Sequence, residues 1–237
     1  TFRELARSLV EFNVYAVIQP GRAKSRQNEL ITSVEDMAEG AAKALEARAR
    51  DVLELSTLPT IFLGHSLGGI VAYETLIRLI SKPQQQFPVW NVRHFITSSV
   101  RSPDRLAHIN AQSPETVADW FVHLRDECGL LEHCKSMMSV AVDDKFILAK
   151  LHAIRGDFKA FETYRGPCNV LGQRARKIPC EITCFLGTDD VKVPKLDADD
   201  WDHFTSNTFT FSRFLGGGHF YLTDEAFKHD FHRRVKS

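Results

Sequence analysis

Five short runs of apolar and β-branched residues stand out along the chain, at 14–18, 60–63, 92–97, 181–185 and 208–214. Their length and their content of Val, Ile, Thr and Phe predict strands. Between them the period changes to that of helices. Ser33 can cap a helix running to about Glu54, with Ala, Glu, Lys and Arg filling its faces. A second predicted helix follows Ser66 and places Ile70, Val71, Ile77 and Ile80 on one face. Strands alternating with helices imply an α/β fold with a mostly parallel, doubly wound sheet.

One stretch breaks the alternation. From 102 to 179 the pattern is helical and no strand is predicted. Ser113-Pro114-Glu115 combines a capping hydroxyl, a proline at the first helical position and an acid in the first turn. Val117, Trp120, Phe121 and Leu124 follow at helical spacing, and Phe146, Ile147, Leu151, Ile154, Phe158 and Phe161 continue the theme. A helical insertion between two strands of one sheet is expected to act as a lid at the sheet's C-terminal edge, where ligands bind in such folds. Most of its apolar positions must pack on one another.

The 237 residues are 43% hydrophobic, enough to bury one sizeable core. Thirty basic and thirty acidic side chains cancel, so no basic stripe points to nucleic acid and no acidic tail to a disordered arm. The apolar runs are too short to span a bilayer, and Arg3, Glu4 and Arg7 interrupt any leader-like segment, so a cytoplasmic protein without membrane attachment is expected. The five cysteines, Cys128, Cys134, Cys168, Cys180 and Cys184, are odd in number and irregularly spaced. They suit buried thiols in a reducing compartment better than disulfides, and their spacing fits no zinc site. Cys180 and Cys184 fall on one side of a predicted strand. No metal or organic cofactor is implied.

The strongest chemical signal is Gly64-His65-Ser66-Leu67-Gly68-Gly69, a G-x-S-x-G motif between a predicted strand and a predicted helix. This is the setting of a nucleophile elbow, the mark of the α/β-hydrolase fold. The residues two before and two after the serine are expected to lack side chains so that strand and helix can approach. Ser66 then projects its hydroxyl at a helix N-terminus, and the Leu67 backbone N–H can meet a developing oxyanion. A serine nucleophile needs a base, and the base needs an orienting acid, in the chain order Ser, Asp or Glu, His. Among ten histidines, His219 is singled out by Gly216-Gly217-Gly218-His219-Phe220, directly after the last predicted strand. His229 and His232 lie in a charged terminal helix. For the acid, Asp190 in Gly187-Thr188-Asp189-Asp190-Val191 follows the strand at 181–185, with Asp189 beside it and Asp104 as the other reachable position. Asp197, Asp199, Asp200 and Asp202 are expected to be solvated loop or cap residues.

Taken together, these residues resemble the type II thioesterases that accompany polyketide and nonribosomal peptide synthetases, close to the medium-chain acyl carrier protein thioesterases. The resemblance rests on Gln19-Pro20-Gly21-Arg22 with Arg26, the elbow with Val71-Ala72-Tyr73-Glu74, and Ser99-Val100-Arg101-Ser102-Pro103. It continues through Arg155-Gly156-Asp157-Phe158, Glu162-Thr163-Tyr164, Gly187 to Asp190, and Gly217-Gly218-His219-Phe220. The order of these segments is more specific than any one of them. The resemblance implies a single α/β-hydrolase domain over 1–237 with a mobile lid at 102–179. It also implies Asp190 as the acid, and hydrolysis of acyl thioesters on the phosphopantetheine arm of an acyl or peptidyl carrier protein. A monomer is expected, and Arg105 and Lys145 are candidate contacts for an acidic carrier. Cys128 and Arg125-Asp126-Glu127 sit inside the lid, so the family's pocket does not transfer residue by residue. Residues 1–5 resemble the helix after the family's first strand and glycine-bearing loop. That strand and the second oxyanion N–H are therefore expected to be missing, leaving a gap between the strands at 14–18 and 60–63. An esterase or lipase on small esters is the rival enzyme, separated by comparing a thioester with its oxygen ester. A non-catalytic acyl or carrier binder is the rival outside enzymology, and it has no need of all three polar residues.

Overall fold

Four of the five predicted strands form one parallel sheet in the computed structural model, which describes residues 2–21, 30–52, 57–81, 90–107, 145–167 and 177–236. They are β1 (Thr60–His65), β2 (Val92–Ser98), β3 (Glu181–Gly187) and β4 (Phe209–Phe214), in the spatial order β1-β2-β3-β4. The pairings place His65 beside Ser98, Ser98 beside Phe185, and Gly187 beside Phe214. The C-terminal ends of all four strands therefore meet at one edge. The helices are α1 (Phe2–Ser8), α2 (Val34–Asp51), α3 (Leu67–Ile80), α4 (Pro103–Ala107), α5 (Lys145–Thr163), α6 (Lys195–Asp199) and α7 (Glu225–Lys236). Short 3-10 turns span Asp200–Phe204 and Tyr221–Thr223.

Phe95 and Ile96 follow one another on β2 and so face opposite sides of the sheet. Phe95 meets Tyr73 of α3 and Trp201, with ring centroids 6.3 and 5.5 Å apart. Ile96 joins Leu5 and Leu9 of α1, Phe185, Phe214 and Tyr221, and Phe231 and Val235 of α7. Helices thus cover both faces, which suits the near-continuous burial of β3 from Ile182 to Gly187. Each fully buried Phe, such as Phe95, Phe214 or Phe231, stabilises the fold by roughly 2 kcal/mol. Helix α2 packs on α3 through Ala42, Ala49 and Leu79.

Two expectations need correction. The run at 14–18 is not a strand. Val14, Tyr15, Val17 and Ile18 are 45–68% exposed and join no ladder. A strand needs a partner edge, and β1 pairs only with β2 among the described residues. The buried face of α3 also differs. Ile70 and Val71 are buried as expected, but Tyr73, Leu76 and Leu79 complete the face, while Ile77 and Ile80 are only half-buried. A helix packed between sheet and α2 buries more than one stripe, so a single-stripe reading selects the wrong isoleucines.

The chain divides into two compact units, residues 1–17, 34–108 and 165–237 in the first and 18–33 and 109–164 in the second. Within the second, Gly21 has φ +82° and lies against Leu30. A Cβ on Gly156 of α5 would stand 2.7 Å from Leu30 Cδ2, so glycine allows the close packing. Ala160 and Tyr164 are fully buried, and Ile154, Phe158 and Phe161 are half-buried. The predicted positions Ser113, Val117, Trp120, Phe121 and Leu124, and the side chains of Lys145, Phe146, Ile147 and Leu151, lie outside the described residues, as do Cys128, Cys134 and Cys168. Cys180 and Cys184 are free buried thiols, and burial raises Cys180 to about 11 and also raises Cys184. Among the described residues no helix is long and apolar enough to cross a membrane.

Candidate active site

Ser66 occupies the turn between β1 and α3, with φ 54° and ψ −131°. A non-glycine residue in that region stores about 1–3 kcal/mol of strain and needs surroundings that hold it. Here the Ser66 amide donates to the Ser98 carbonyl at 2.8 Å, and the Gly69 amide donates to the Ser66 carbonyl at 2.8 Å. The glycines divide differently from expectation. A Cβ on Gly64 would stand 2.6 Å from the Gly69 Cα, and one on Gly69 would stand 2.7 Å from Val100 Cγ1. One on Gly68 would meet nothing within 4 Å. The close approach of strand to helix therefore requires Gly64 and Gly69, not Gly68. Leu67 is the first residue of α3, so its amide has no acceptor within the helix and is open to an anion.

His219 follows β4 through Gly216, which has φ +76°. The loop is held by Gly217 N–H to Phe214 O at 3.1 Å and by Tyr221, whose ring stacks on Phe214 at 4.4 Å. Asp190 follows β3. Its loop is joined to the base loop by Asp189 N–H to Gly217 O at 2.9 Å, Thr188 N–H to Phe214 O at 3.0 Å and Gly216 N–H to Thr188 Oγ1 at 2.8 Å.

These loops bring three side chains into one hydrogen-bonded line. His219 Nε2 lies 3.1 Å from Ser66 Oγ, and His219 Nδ1 lies 2.9 Å from Asp190 Oδ2. The Asp190 side chain is fully buried and that of His219 is 13% exposed. Burial alone raises the Asp190 carboxyl, yet its hydrogen bond and charge interaction with His219 and the Lys192 amide at 3.0 Å outweigh this and hold it below the usual range. The Ser99 hydroxyl, buried and without a partner in full hydrogen-bond geometry, adds a smaller lowering. An ionised carboxylate only accepts, so Nδ1 carries the imidazole proton and Nε2 presents a lone pair to the Ser66 hydroxyl. This arrangement can take a proton from Ser66 and stabilise the imidazolium that results.

The competing acids lie elsewhere. Asp104 is exposed on α4, and Asp189 is exposed and accepts from the Thr188 hydroxyl at 3.1 Å. His229 and His232 are on α7, as expected. Asp197 is not a solvated residue, because its carboxylate is largely buried and accepts from Arg101 Nη1 at 2.7 Å. Arg105 pairs with Asp200 and lies 3.9 Å from Asp197. Among the described residues no group of three or more His, Cys, Asp and Glu side chains could hold a metal ion.

Sequence reading missed the layer beneath this line. His65 Nδ1 lies 3.0 Å from Ser98 Oγ, which lies 2.5 Å from the Tyr221 hydroxyl. Its ring packs 5.3 Å from that of His219. Burial pushes His65 down to about 3, with the nearby His219 adding to this and Asp190 opposing it, so the imidazole stays neutral. His65 fills the free position of G-x-S, so the motif itself carried no signal for it.

Comparison with known proteins identifies the family. The chain is 28% identical over 214 residues to a probable cadicidin biosynthesis thioesterase of Streptomyces griseus, covering 89% of this chain and 51% of that protein. It is 29% identical over 214 residues to thioesterase PikA5 of Streptomyces venezuelae, covering 89% and 66%. The chain thus spans half to two thirds of the length of these relatives. Among solved structures, the type II thioesterase BorB from the borrelidin biosynthetic cluster is 25% identical, with a TM-score of 0.70 over 99% of this chain and 82% of that one. The family model described as the thioesterase domain matches residues 1–234, and the chain belongs to that family.

Proposed function

We propose that this chain is a serine thioesterase that hydrolyses acyl groups from the phosphopantetheine arm of acyl or peptidyl carrier proteins. The observation that carries the reading is the line Asp190–His219–Ser66, bonded at 2.9 and 3.1 Å on a strained elbow, in a chain of the thioesterase domain family. Relatives named as a probable cadicidin biosynthesis thioesterase and thioesterase PikA5, and the solved type II thioesterase from the borrelidin biosynthetic cluster, support the substrate class. His219 Nε2 takes the Ser66 proton as Oγ attacks the thioester carbonyl, and Asp190 stabilises the imidazolium. The Leu67 amide faces the oxyanion. His219 returns the proton to the departing pantetheine thiol, leaving an acyl-serine. Water deprotonated by His219 then attacks the acyl-serine, releasing the acid and restoring Ser66. The buried Cys180 and Cys184 thiols suit a reducing, cytoplasmic compartment.

The test is thiol release from a medium-chain acyl-pantetheine thioester by this chain and by Ser66→Ala. Release that disappears in Ser66→Ala supports the reading. Faster cleavage of the matched oxygen ester would assign an esterase instead, and a folded chain that binds the thioester without turnover would assign a binding module.

A further inference from the structure

Arg101 lies on the turn after β2 and takes no part in the line from Asp190 to Ser66. Its Nε and Nη2 both donate to the Lys192 carbonyl, at 3.2 and 2.9 Å, and its Nη1 donates to Asp197 Oδ2 at 2.7 Å. Lys192 is also the residue whose amide donates to Asp190 Oδ1 at 3.0 Å. One residue of the acid loop is therefore held at both ends, by the carboxylate through its N–H and by the guanidinium through its C=O. We infer that Arg101 is a positioning residue for Asp190, fixing the acid loop so that the Lys192 amide occupies Oδ1 and Oδ2 remains free for His219.

The loop needs such a tie. Its first half is joined to the base loop through the Thr188 and Asp189 amides. Beyond Asp190, Val191 is 89% exposed and gives no packing anchor, and the chain next turns inward at the buried Val193. Between those residues the Lys192 carbonyl is held by Arg101, and further along the Ser102 amide donates to the Asp197 carbonyl at 2.9 Å. A planar guanidinium suits this task, because two of its donors reach one carbonyl while a third reaches a carboxylate. The effect is transmitted through Lys192. Burial raises the Asp190 carboxyl while His219, the Lys192 amide and Ser99 lower it.

This inference rests on the proposed line of Asp190, His219 and Ser66, and its test has a readout that needs no substrate. The His219 Nδ1 proton, bonded to Asp190, is expected to give a far-downfield proton resonance. In Arg101→Met that resonance is expected to broaden or shift upfield while the chain stays folded by circular dichroism. Labelling of Ser66 by a fluorophosphonate should slow by about 10- to 100-fold, with partial recovery in Arg101→Lys. In an Asp190→Asn background the same Arg101→Met change should slow labelling by less than about 3-fold, since the group it positions is already disabled. If Arg101→Met does not fold, Asp197→Asn removes the guanidinium's other anchor and is expected to give the same shift with a smaller loss. An unchanged resonance in a folded variant, or equal losses in both backgrounds, would overturn the inference. A resonance that responds as expected, in a chain that releases no thiol from thioesters, would reject the substrate assignment and leave the positioning role standing.

Discussion

Gly187, the last residue of the strand leading to Asp190, lies so close to Gly217, two residues before His219, that a Cβ on Gly187 would stand 2.6 Å from the Gly217 carbonyl carbon. The loops that carry Asp190 and His219 are therefore in backbone contact, and that contact limits how far the two side chains can separate. Gly187→Ala must push the loops apart, because both partners are backbone. The expected outcome is a loss of about 2–3 kcal/mol in stability and a fall in turnover of at least about 10-fold that persists well below the melting temperature. Denaturant titration and thioester assays at low temperature check the two parts. A variant with normal turnover would show that the loops can separate without disturbing the bond.

His65 makes stability depend on pH with a definite sign. Burial lowers its folded-state pKa from 6.5 to about 3. A group whose folded pKa is depressed contributes stability that is fully present above its unfolded pKa and is lost as pH falls toward the folded value. Stability should thus fall by about 1.4 kcal/mol per pH unit between 6.5 and about 3 from this residue alone. Unfolding free energies at pH 7.5 and pH 5 should differ by about 2 kcal/mol more in the wild type than in His65→Gln, which lacks the titrating ring. Equal pH dependence in both proteins would mean that His65 is accessible to protons in the native state.

Much of this arrangement was legible in the sequence, for reasons that are local. Ser66 was found because G-x-S-x-G lies between a strand-like and a helix-like run, and His219 because it follows three glycines after a strand-like run. Asp190 was separated from Asp189 and Asp104 by loop spacing and family resemblance; in the structure Asp190 lies against His219, while Asp189 and Asp104 are exposed. What escaped was long-range. The tie from Arg101 to Lys192 spans 91 positions, and that from Ser98 to Tyr221 spans 123. Neither leaves a periodic mark. The run at 14–18 failed for the complementary reason, since its residues favour a strand but a strand exists only against a partner.

Asp190→Asn tests whether the acid acts through the tautomer of His219. Oδ2 accepts from Nδ1 in the wild type, and an amide at this position can present an N–H instead, favouring the tautomer with its proton on Nε2. That proton would then face Ser66 Oγ, and the base would be unavailable. A loss of up to about 10⁴-fold in kcat is expected, with KM little changed. Steady-state kinetics check it. A loss below about 10-fold would show that another carboxylate or water supports His219.

The elbow glycines offer the sharpest separation of geometry from motif. G-x-S-x-G treats Gly64 and Gly68 alike, yet a Cβ on Gly64 would be driven into the first turn of α3, while one on Gly68 meets nothing within 4 Å. Gly68 also lies in helical backbone without a positive φ. Gly68→Ala should therefore fold normally and gain up to about 1 kcal/mol from helix propensity. Gly69→Ala meets Val100 Cγ1 at 2.7 Å and Thr97 Oγ1 at 2.9 Å, side-chain atoms on β2 and its following turn, and should lose about 1–3 kcal/mol. Gly64→Ala, opposed by backbone, should lose more than Gly69→Ala or fail to fold. Thermal melts of the three variants rank them, and the order expected is Gly68→Ala above Gly69→Ala above Gly64→Ala. If Gly68→Ala were stable but inactive, the second glycine would serve the approach of substrate to Ser66 rather than the packing of strand on helix.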